Sequence, residues 1–340
     1  MAIKLTSILT CLCETPGPAG FEGSAAALAL ELLYPHMDEV KIDTLGNVIG
    51  TRSCGKPGAK RVLVEAHIDE IGFVVTGHKG AFLTLSPLGT LDARHLPGAH
   101  LRVLSDPPRT GIVACMPPHV LTKAAMEEVP AVTDLALDLG LTEEETTSIP
   151  LGTPVVFDTE AVTMGEGLFS AKALDNRATV AAVLLALDRL PEELNVDLIV
   201  LFSTQEELGL RGVQTGVFAT EPDLAICLDV TFGDQPDAKP EQTVKFGGGA
   251  AIALGPMLDR NLSQQLIRLA ETKRIPHQLE VAISGTNADR IALSRAGVPT
   301  GLISVPLRYM HSATELVNLA DLESVANLLA AFLEGSEAHA

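Results

Sequence analysis

The second half of the chain alternates between apolar segments of strand length and longer segments of helical composition. Strands are predicted over 196–202, 224–230, 278–283 and 301–305, and helices over 177–190, 262–273, 288–296 and 322–333. Strands that alternate with helices of this length are typical of layered α/β proteins. We therefore expect a three-layer α/β/α fold with a mixed, mostly parallel sheet.

The segment 71–159 has a different pattern, with short apolar runs separated by Gly and Pro. Short strands with frequent turns are typical of a small β-barrel or sandwich. The apolar run before it, "RVLVEAHID", resembles the later buried strands. We therefore predict that a small β-barrel or sandwich domain, 71–159, is inserted into an α/β domain made of 1–70 and 160–340, and that the acidic piece 133–145 within the insertion is helical.

Composition and charge exclude several classes of partner. The 340 residues are 46% apolar and 20% charged, and the formal net charge is -19. An acidic protein is repelled by phosphate backbones and anionic membrane surfaces, so no nucleic-acid or membrane partner is expected. The longest apolar stretch, 178–187, is about half as long as a membrane span, and no basic-then-apolar leader pattern begins the chain. Five cysteines without a CxxC pair fit a reducing compartment, and we expect a cytoplasmic protein.

Polar residues that suit metal binding stand where the predicted strands end. They are His67 and Asp69 after the first strand, Glu206 and Glu207 after the next, Asp229 and His311 near the ends of two later strands, and Asp175 just before a helix. In layered α/β sheets, functional groups gather at the carboxyl ends of the strands. Imidazole and carboxylate ligands together suit Zn, Co or Mn, and a carboxylate-rich site holds two such ions.

Each of these residues also has a purely structural explanation. Ser203 and Glu206 match a helix capping box, Asp175 could be an ordinary N-cap, and Asp229 could open a turn. Five such interruptions at equivalent points of the fold would need five separate explanations. The joint pattern therefore favours a metal site.

The segments "TPGPAGFEG", "AHIDEIGF", "ALDNR", "STQEELGLRG", "LDV" and "MHS" occur in this order along nearly the whole chain. The order and separation of these segments resemble those of the signature segments in the tetrahedral, or glutamyl-type, aminopeptidases of metallopeptidase family 42. The resemblance implies a metal-dependent aminopeptidase that acts on short peptides. It also implies homo-oligomers, in which the barrel builds dimers and then a hollow dodecamer.

The resemblance also implies roles for single residues. Two divalent ions, Zn or Co with Mn as an alternative, would be held by His67 and Glu207 on one side, by Asp175 as the bridge, and by Asp229 and His311 to complete the pair. Glu206 would be the general base. Asp69 would orient His67, which is the usual role of a carboxylate behind a metal-bound imidazole.

Two segments leave alternatives open. The family commonly has Gly-Thr-Asp-Ala where this chain has Asn287, so either a contact to substrate or ligand has changed, or one helix N-cap has replaced another. The Gly-rich segment 245–256 resembles a family loop, whose glycines either let the backbone approach a substrate closely or form a plain turn.

Two other functions compete with the aminopeptidase hypothesis. A metal-dependent deacylase or carboxypeptidase of the same clan would cleave N-acyl or C-terminal bonds instead. A non-catalytic assembly protein would keep the fold and lose a ligand or the base, whereas this chain has all six candidate positions.

Overall fold

A computed structural model describes residues 5–335 apart from 237 and 284. The strands are β1 Glu39–Ile42, β2 Val48–Arg52, β3 Arg61–His67, β4 Gly72–Lys79, β5 Phe82–Leu88, β6 His100–Val103, β7 Arg109–Val113, β8 Ala136–Asp138, β9 Pro154–Phe157, β10 Val162–Met164, β11 Leu168–Ala171, β12 Asp197–Ser203, β13 Leu224–Phe232, β14 Ala250–Leu254, β15 His277–Val281, β16 Thr300–Arg308 and β17 Glu315–Asn318. The helices are α1 Leu5–Glu14, α2 Gly23–Leu33, α3 Lys123–Glu127, α4 Glu143–Thr147, α5 Leu174–Leu187, α6 Arg211–Thr220, α7 Arg260–Lys273, α8 Ala288–Ala292 and α9 Leu319–Glu334.

One large mixed sheet runs through the molecule. Its strand order is β1-β2-β12-β3-β13-β16-β17-β11-β10, and β14 and β15 extend from β16 along a second edge. The four strands β12, β3, β13 and β16 are adjacent and parallel. Their carboxyl ends therefore meet at one edge of the sheet, where Ser203 of β12 lies in register with His67 of β3.

Helices cover both faces of this sheet. Successive residues of a strand point to opposite faces. On β3, Val62 and Val64 pack in a core with α1, α2, α5, α7 and α9, whereas Leu63 packs in a second core with α6 and α8. Both faces of the central strands are thus apolar, and this explains why the strands read as nearly continuous apolar runs.

The strands β4 to β9 form a closed antiparallel barrel, in the order β4-β5-β8-β7-β6-β9. The barrel has its own core, in which the rings of Phe73 and Phe157 meet edge to face with their centroids 5.5 Å apart. A buried ion pair joins the chain just after β3, where it leaves the large sheet, to the chain just after β11, the second strand of its return. Nζ of Lys172 lies 2.7 Å from Oε2 of Glu70.

The predicted α/β fold with an inserted barrel is confirmed. One prediction of local structure was wrong. Segment 133–145 is not one helix, because it contains β8, whose Leu137 is buried in the barrel core, and it is helical at its two ends alone, in a 3-10 turn that ends at Asp134 and in α4. The glycine-rich segment forms a turn at 246–248, as one of its two alternatives expects, and β14, a buried strand of the sheet, follows. Among the described residues, no helix combines the length and the apolar character needed to cross a bilayer.

Candidate metal centre

The structure brings the seven residues singled out from the sequence to the carboxyl edge of the parallel strands. His67 ends β3, Asp229 lies in β13, and Glu206 and Glu207 follow β12. The loop after β16 carries His311, whose backbone is left-handed with φ 59°. Asp175 lies in the first turn of α5, where its dihedral angles are not helical.

Two groups of candidate ligands share one carboxylate. Nε2 of His67 lies 3.2 Å from Oδ1 of Asp175 and 3.9 Å from Oδ1 of Asp229. Nε2 of His311 lies 3.2 Å from Oδ2 of Asp175 and 3.1 Å from Oε1 of Glu207. In each group the candidate ligand atoms lie within 4.8 Å of one another. Asp175 thus presents one oxygen to each group.

This grouping differs from the pairing that the sequence resemblance implied. His67 lies with Asp229, and Glu207 lies with His311. The reason is the register of the strands. Cys227 pairs with Glu65, so Asp229 comes level with His67 at the end of β3, whereas Glu207 lies four residues beyond Ser203, the partner of His67 on β12.

Asp69 is fully buried and makes three contacts. Its Oδ1 lies 3.3 Å from Nδ1 of His67, on the side of the ring opposite to the candidate ligand atom Nε2. The same carboxylate accepts hydrogen bonds from the backbone N–H groups of Glu206 and Glu207, each at 3.0 Å. Asp69 therefore fixes the orientation of an imidazole and the course of the Glu206–Glu207 loop at once.

Carboxyl groups are crowded and shielded from water at this edge. Burial, together with neighbouring carboxylates, raises the pKa of Glu206 to about 9. Burial also raises the pKa of Asp229 well above its ordinary value, and the charge of Asp175 adds to this effect. Such a concentration of buried carboxyl groups is unfavourable unless cations neutralise it. Imidazole and carboxylate donors around a shared Asp175 fit a pair of divalent cations.

The two structural alternatives for Ser203 and Asp175 are wrong. The helix after Glu206 begins only at Arg211, and the Ser203 hydroxyl donates to Glu65 instead of capping a helix. Asp175 is not the N-cap of α5, since that position is occupied by Ala173.

One functional residue was missed in the sequence. Glu315 is buried, and its carboxylate accepts hydrogen bonds from the backbone N–H groups of Asp175 (3.0 Å) and His311 (2.8 Å). It therefore holds the backbone of two candidate ligands. The only signal in the sequence is an acid that directly precedes the apolar run "LV", four residues after His311.

A cavity of about 510 Å³ adjoins His311. Its walls come from the barrel segment 90–93 and from His95, Val129 and Met310. Residues between β5 and β6 of the barrel thus face the candidate metal centre of the sheet. Of the candidate ligands, His311 alone lines this cavity.

Comparison with known proteins identifies the family. The family model for M42 glutamyl aminopeptidase matches residues 46–328. A lysyl aminopeptidase of Pyrococcus furiosus is 33% identical over 330 residues, which cover 94% of each chain.

Two solved structures extend the similarity to the whole fold. Aminopeptidase APDkam598 of the archaeon Desulfurococcus kamchatkensis is 34% identical, with a TM-score of 0.91 over 98% of this chain and 95% of that one. The TET1 peptidase of Pyrococcus horikoshii, described as able to assemble into a tetrahedron or a large octahedral shell, is 27% identical, with a TM-score of 0.86 over 97% of this chain and 99% of that one. The chain therefore belongs to the M42 glutamyl aminopeptidase family of metal-dependent aminopeptidases.

Proposed function

We propose that this aminopeptidase removes N-terminal residues from short peptides with two divalent cations and with Glu206 as the general base. The observation that carries the proposal is the position of Asp175, whose two carboxylate oxygens face different groups of ligands. A carboxylate placed in this way suits a bridge between two cations. His67 and Asp229 would complete one side, and His311 and Glu207 the other.

The cations would act as Lewis acids, because a pair of them polarises the scissile carbonyl and lowers the pKa of bound water towards about 7. The remaining steps belong to the chain. Glu206 lies beside the two groups without being a member of either. In the metal-free chain burial raises the pKa of Glu206 to about 9 and keeps its carboxyl protonated, and the charge of bound cations would lower that pKa. As a carboxylate it would then take a proton from the attacking water and return that proton to the leaving amine nitrogen. Asp69 and Glu315 would hold the ligands in place.

The test begins with chelation of the protein and separate restoration of Zn, Co and Mn. Release of the N-terminal residue is followed on unblocked peptides and on the same peptides with an N-acetyl group. We expect metal-dependent cleavage of the unblocked peptides alone. Cleavage of the acetylated peptides, or of C-terminal bonds, would instead favour the deacylase or carboxypeptidase function.

The matched variant is Glu206→Gln, which keeps size and hydrogen-bonding ability but cannot accept a proton. We expect kcat to fall by about 10²- to 10⁴-fold, the usual contribution of a general base. Metal content, measured by inductively coupled plasma mass spectrometry, should stay at the wild-type value. A variant that loses its metal would show that Glu206 is a ligand and not the base.

We further propose a homo-oligomer, from dimers up to a dodecamer, in a reducing cytoplasm. The barrel segment 71–159 would be its assembly domain, and 1–70 with 160–340 its catalytic domain. The assembly described for the Pyrococcus horikoshii relative supports this proposal. Exposed apolar side chains on the barrel segment, among them Met116 and Leu151, support it too. The cysteines are free thiols, as a reducing compartment requires.

A further inference from the structure

A buried carboxylate lies two residues before His67 on the same strand. Glu65 is 1% exposed. Its Oε1 accepts hydrogen bonds from Oγ of Ser203 (2.6 Å) and from Nδ2 of Asn287 (2.7 Å), and its Oε2 accepts from Sγ of Cys227 (3.1 Å). One side chain of β3 is thereby joined to both neighbouring strands and to the start of α8.

Every strand in this network continues to the candidate metal centre. β3 reaches His67 two residues beyond Glu65, and β13 reaches Asp229 two residues beyond Cys227. β12 ends at Ser203, three residues before Glu206. The Glu65 carboxylate is therefore a common attachment point for the strands that carry three parts of the site.

Asn287 supplies the amide donor of the network. Its Nδ2 donates to Glu65 and also to Oγ of Ser203 at 3.0 Å, and the side chain is 1% exposed. It makes no capping hydrogen bond to α8, so exchange of one N-cap for another does not explain this departure from the family pattern. An aspartate here would have no N–H to donate and would place a second carboxylate against Glu65. Asparagine at 287 and glutamate at 65 are complementary partners.

We propose that Glu65 and Asn287 act together as positioning residues that set the spacing of His67, Asp229 and the Glu206–Glu207 loop. The inference rests on the proposed dimetal function and adds residues that do not touch the metal or the substrate. A buried polar network rigidifies the strands that it joins, and here both oxygens of Glu65, the Ser203 hydroxyl and Nδ2 of Asn287 have partners, whereas Oδ1 of Asn287 has none among the described residues. Metal ligands need such support, because they must be held within about 0.5 Å of a productive geometry.

The experiment exchanges the two partners. Asn287→Asp removes the amide and creates a pair of carboxylates, and the double variant Glu65→Gln/Asn287→Asp restores one amide and one carboxylate with their places exchanged. Glu65→Gln alone completes the cycle. The control is Glu280→Gln, since Glu280 is a half-buried carboxylate that accepts from the hydroxyls of Ser304 and Thr231 but lies on β15, which carries no candidate ligand.

Each protein is chelated and titrated with Co²⁺. The measurements are the Co²⁺ affinity, the visible absorption of the Co²⁺-loaded protein, and kcat and KM on an unblocked peptide. We expect Asn287→Asp to lower the Co²⁺ affinity by about 10- to 100-fold, as residues behind metal ligands do, and to alter the absorption bands. kcat should fall more than KM rises. Glu65→Gln should have a smaller effect, because a glutamine oxygen still accepts from Ser203 and Asn287.

The double variant decides the question. We expect its Co²⁺ affinity and absorption to return to those of Glu65→Gln, while Glu280→Gln keeps the wild-type affinity. The inference would be overturned by a double variant whose Co²⁺ affinity is no higher than that of Asn287→Asp. It would also be overturned by an Asn287→Asp variant that keeps the wild-type Co²⁺ affinity and absorption bands and differs from wild type in its lower unfolding temperature alone. If Asn287→Asp does not fold, Asn287→Ala removes the amide without adding a carboxylate and is judged by the same measurements. Wild-type protein that binds no Co²⁺ would contradict the proposed function itself.

Discussion

At the scale of single residues, buried carboxylates behind the candidate ligands hold the site together. Asp69 holds the His67 ring and two backbone N–H groups with one side chain. An amide in its place keeps one oxygen acceptor but turns N–H groups towards other donors. This side chain therefore has little tolerance for even an isosteric change.

We expect Asp69→Asn to lower Zn²⁺ affinity by about 10- to 100-fold, because one of its two oxygens becomes an NH₂ group, which would face either the Glu207 N–H or the Glu206 N–H and Nδ1 of His67. Isothermal titration of chelated protein measures this change. Asp138→Asn is the control, since Asp138 is exposed on the barrel and accepts from the Gly140 N–H alone. Equal affinities of the two variants for Zn²⁺ would contradict the role given to Asp69.

Residue types and strand ends sufficed to predict which side chains would meet. His67, Asp175, Glu207, Asp229 and His311 lie together as candidate ligands. Their roles remain predictions. Which ligand lies beside which could not be predicted, because that depends on the order and register of strands in the sheet. Contacts of a side chain with distant backbone, such as those of Glu315, leave no spacing pattern in the sequence.

At the scale of elements, the glycine-rich turn before β14 shows which part of the molecule its glycines approach. Gly249 has φ +86°, and a Cβ there would lie 2.2 Å from the carbonyl oxygen of Pro276. The close approach is therefore to the chain's own backbone, next to β15. The run of glycines hid this strand, because glycine is rare in strands and common in turns.

Two alanine substitutions separate the two causes of strain at Gly249, its left-handed backbone and its close approach to Pro276. Gly58, in another part of the chain, has the left-handed backbone without the close approach. Gly58→Ala, at φ +75° with open space around it, should lower the unfolding free energy by about 1 to 2 kcal/mol through its left-handed backbone. Gly249→Ala should cost about 1 to 3 kcal/mol more, because the added methyl group overlaps Pro276. Urea unfolding of the chelated proteins measures both. Equal losses of unfolding free energy in the two variants would show that the close approach to Pro276 adds no cost.

Asp321 of α9 joins this segment to the helix layer. Its carboxylate accepts from the N–H groups of Gly247 (2.8 Å) and Gly249 (2.7 Å), and burial raises its pKa to about 6. The folded state then binds the proton more tightly than the unfolded chain does. Its contribution to stability is complete below about pH 4, the ordinary value for an aspartate, and is lost as the pH rises through 6.

We therefore expect Asp321→Asn to gain stability relative to wild type as the pH rises from 4 to 7. Unfolding free energies of both chelated proteins across this range give the difference, in which the other titrating groups largely cancel. A difference that is constant with pH would contradict a raised pKa for Asp321.

At the scale of the whole molecule, bound cations should be part of the folding free energy. The chelated protein keeps several carboxyl groups crowded at one edge of the sheet. Ions that bind only the folded state stabilise it by about 2.7 kcal/mol per site when their free concentration is about 100 times Kd. We expect calorimetry to show a lower unfolding temperature after chelation and recovery with Zn²⁺. Glu206→Gln should show the same recovery, since it keeps the ligands.

Assembly is tested on the barrel surface. Light scattering after size-exclusion chromatography should show an oligomer for wild type and smaller species for Met116→Glu or Leu151→Glu, because both side chains are exposed and apolar, at 64% and 62%. Tyr34→Glu, at an equally exposed position outside the barrel, is the control. A monomeric wild type, or loss of assembly in the control alone, would contradict assembly through the barrel.

The buried ion pair of Glu70 and Lys172 also has a consequence for how this architecture can vary. The pair fixes the two chain segments that flank the barrel and the strands β10 and β11, at 2.7 Å, only three residues from His67 on one side and from Asp175 on the other. Barrel residues near 89–95 lie against the site, since a Cβ on Gly89 would come within 3.0 Å of Oε2 of Glu207. Changes in the size of the barrel on the side away from these residues should therefore leave the metal centre with its geometry, so that the assembly surface and the chemistry are free to evolve separately.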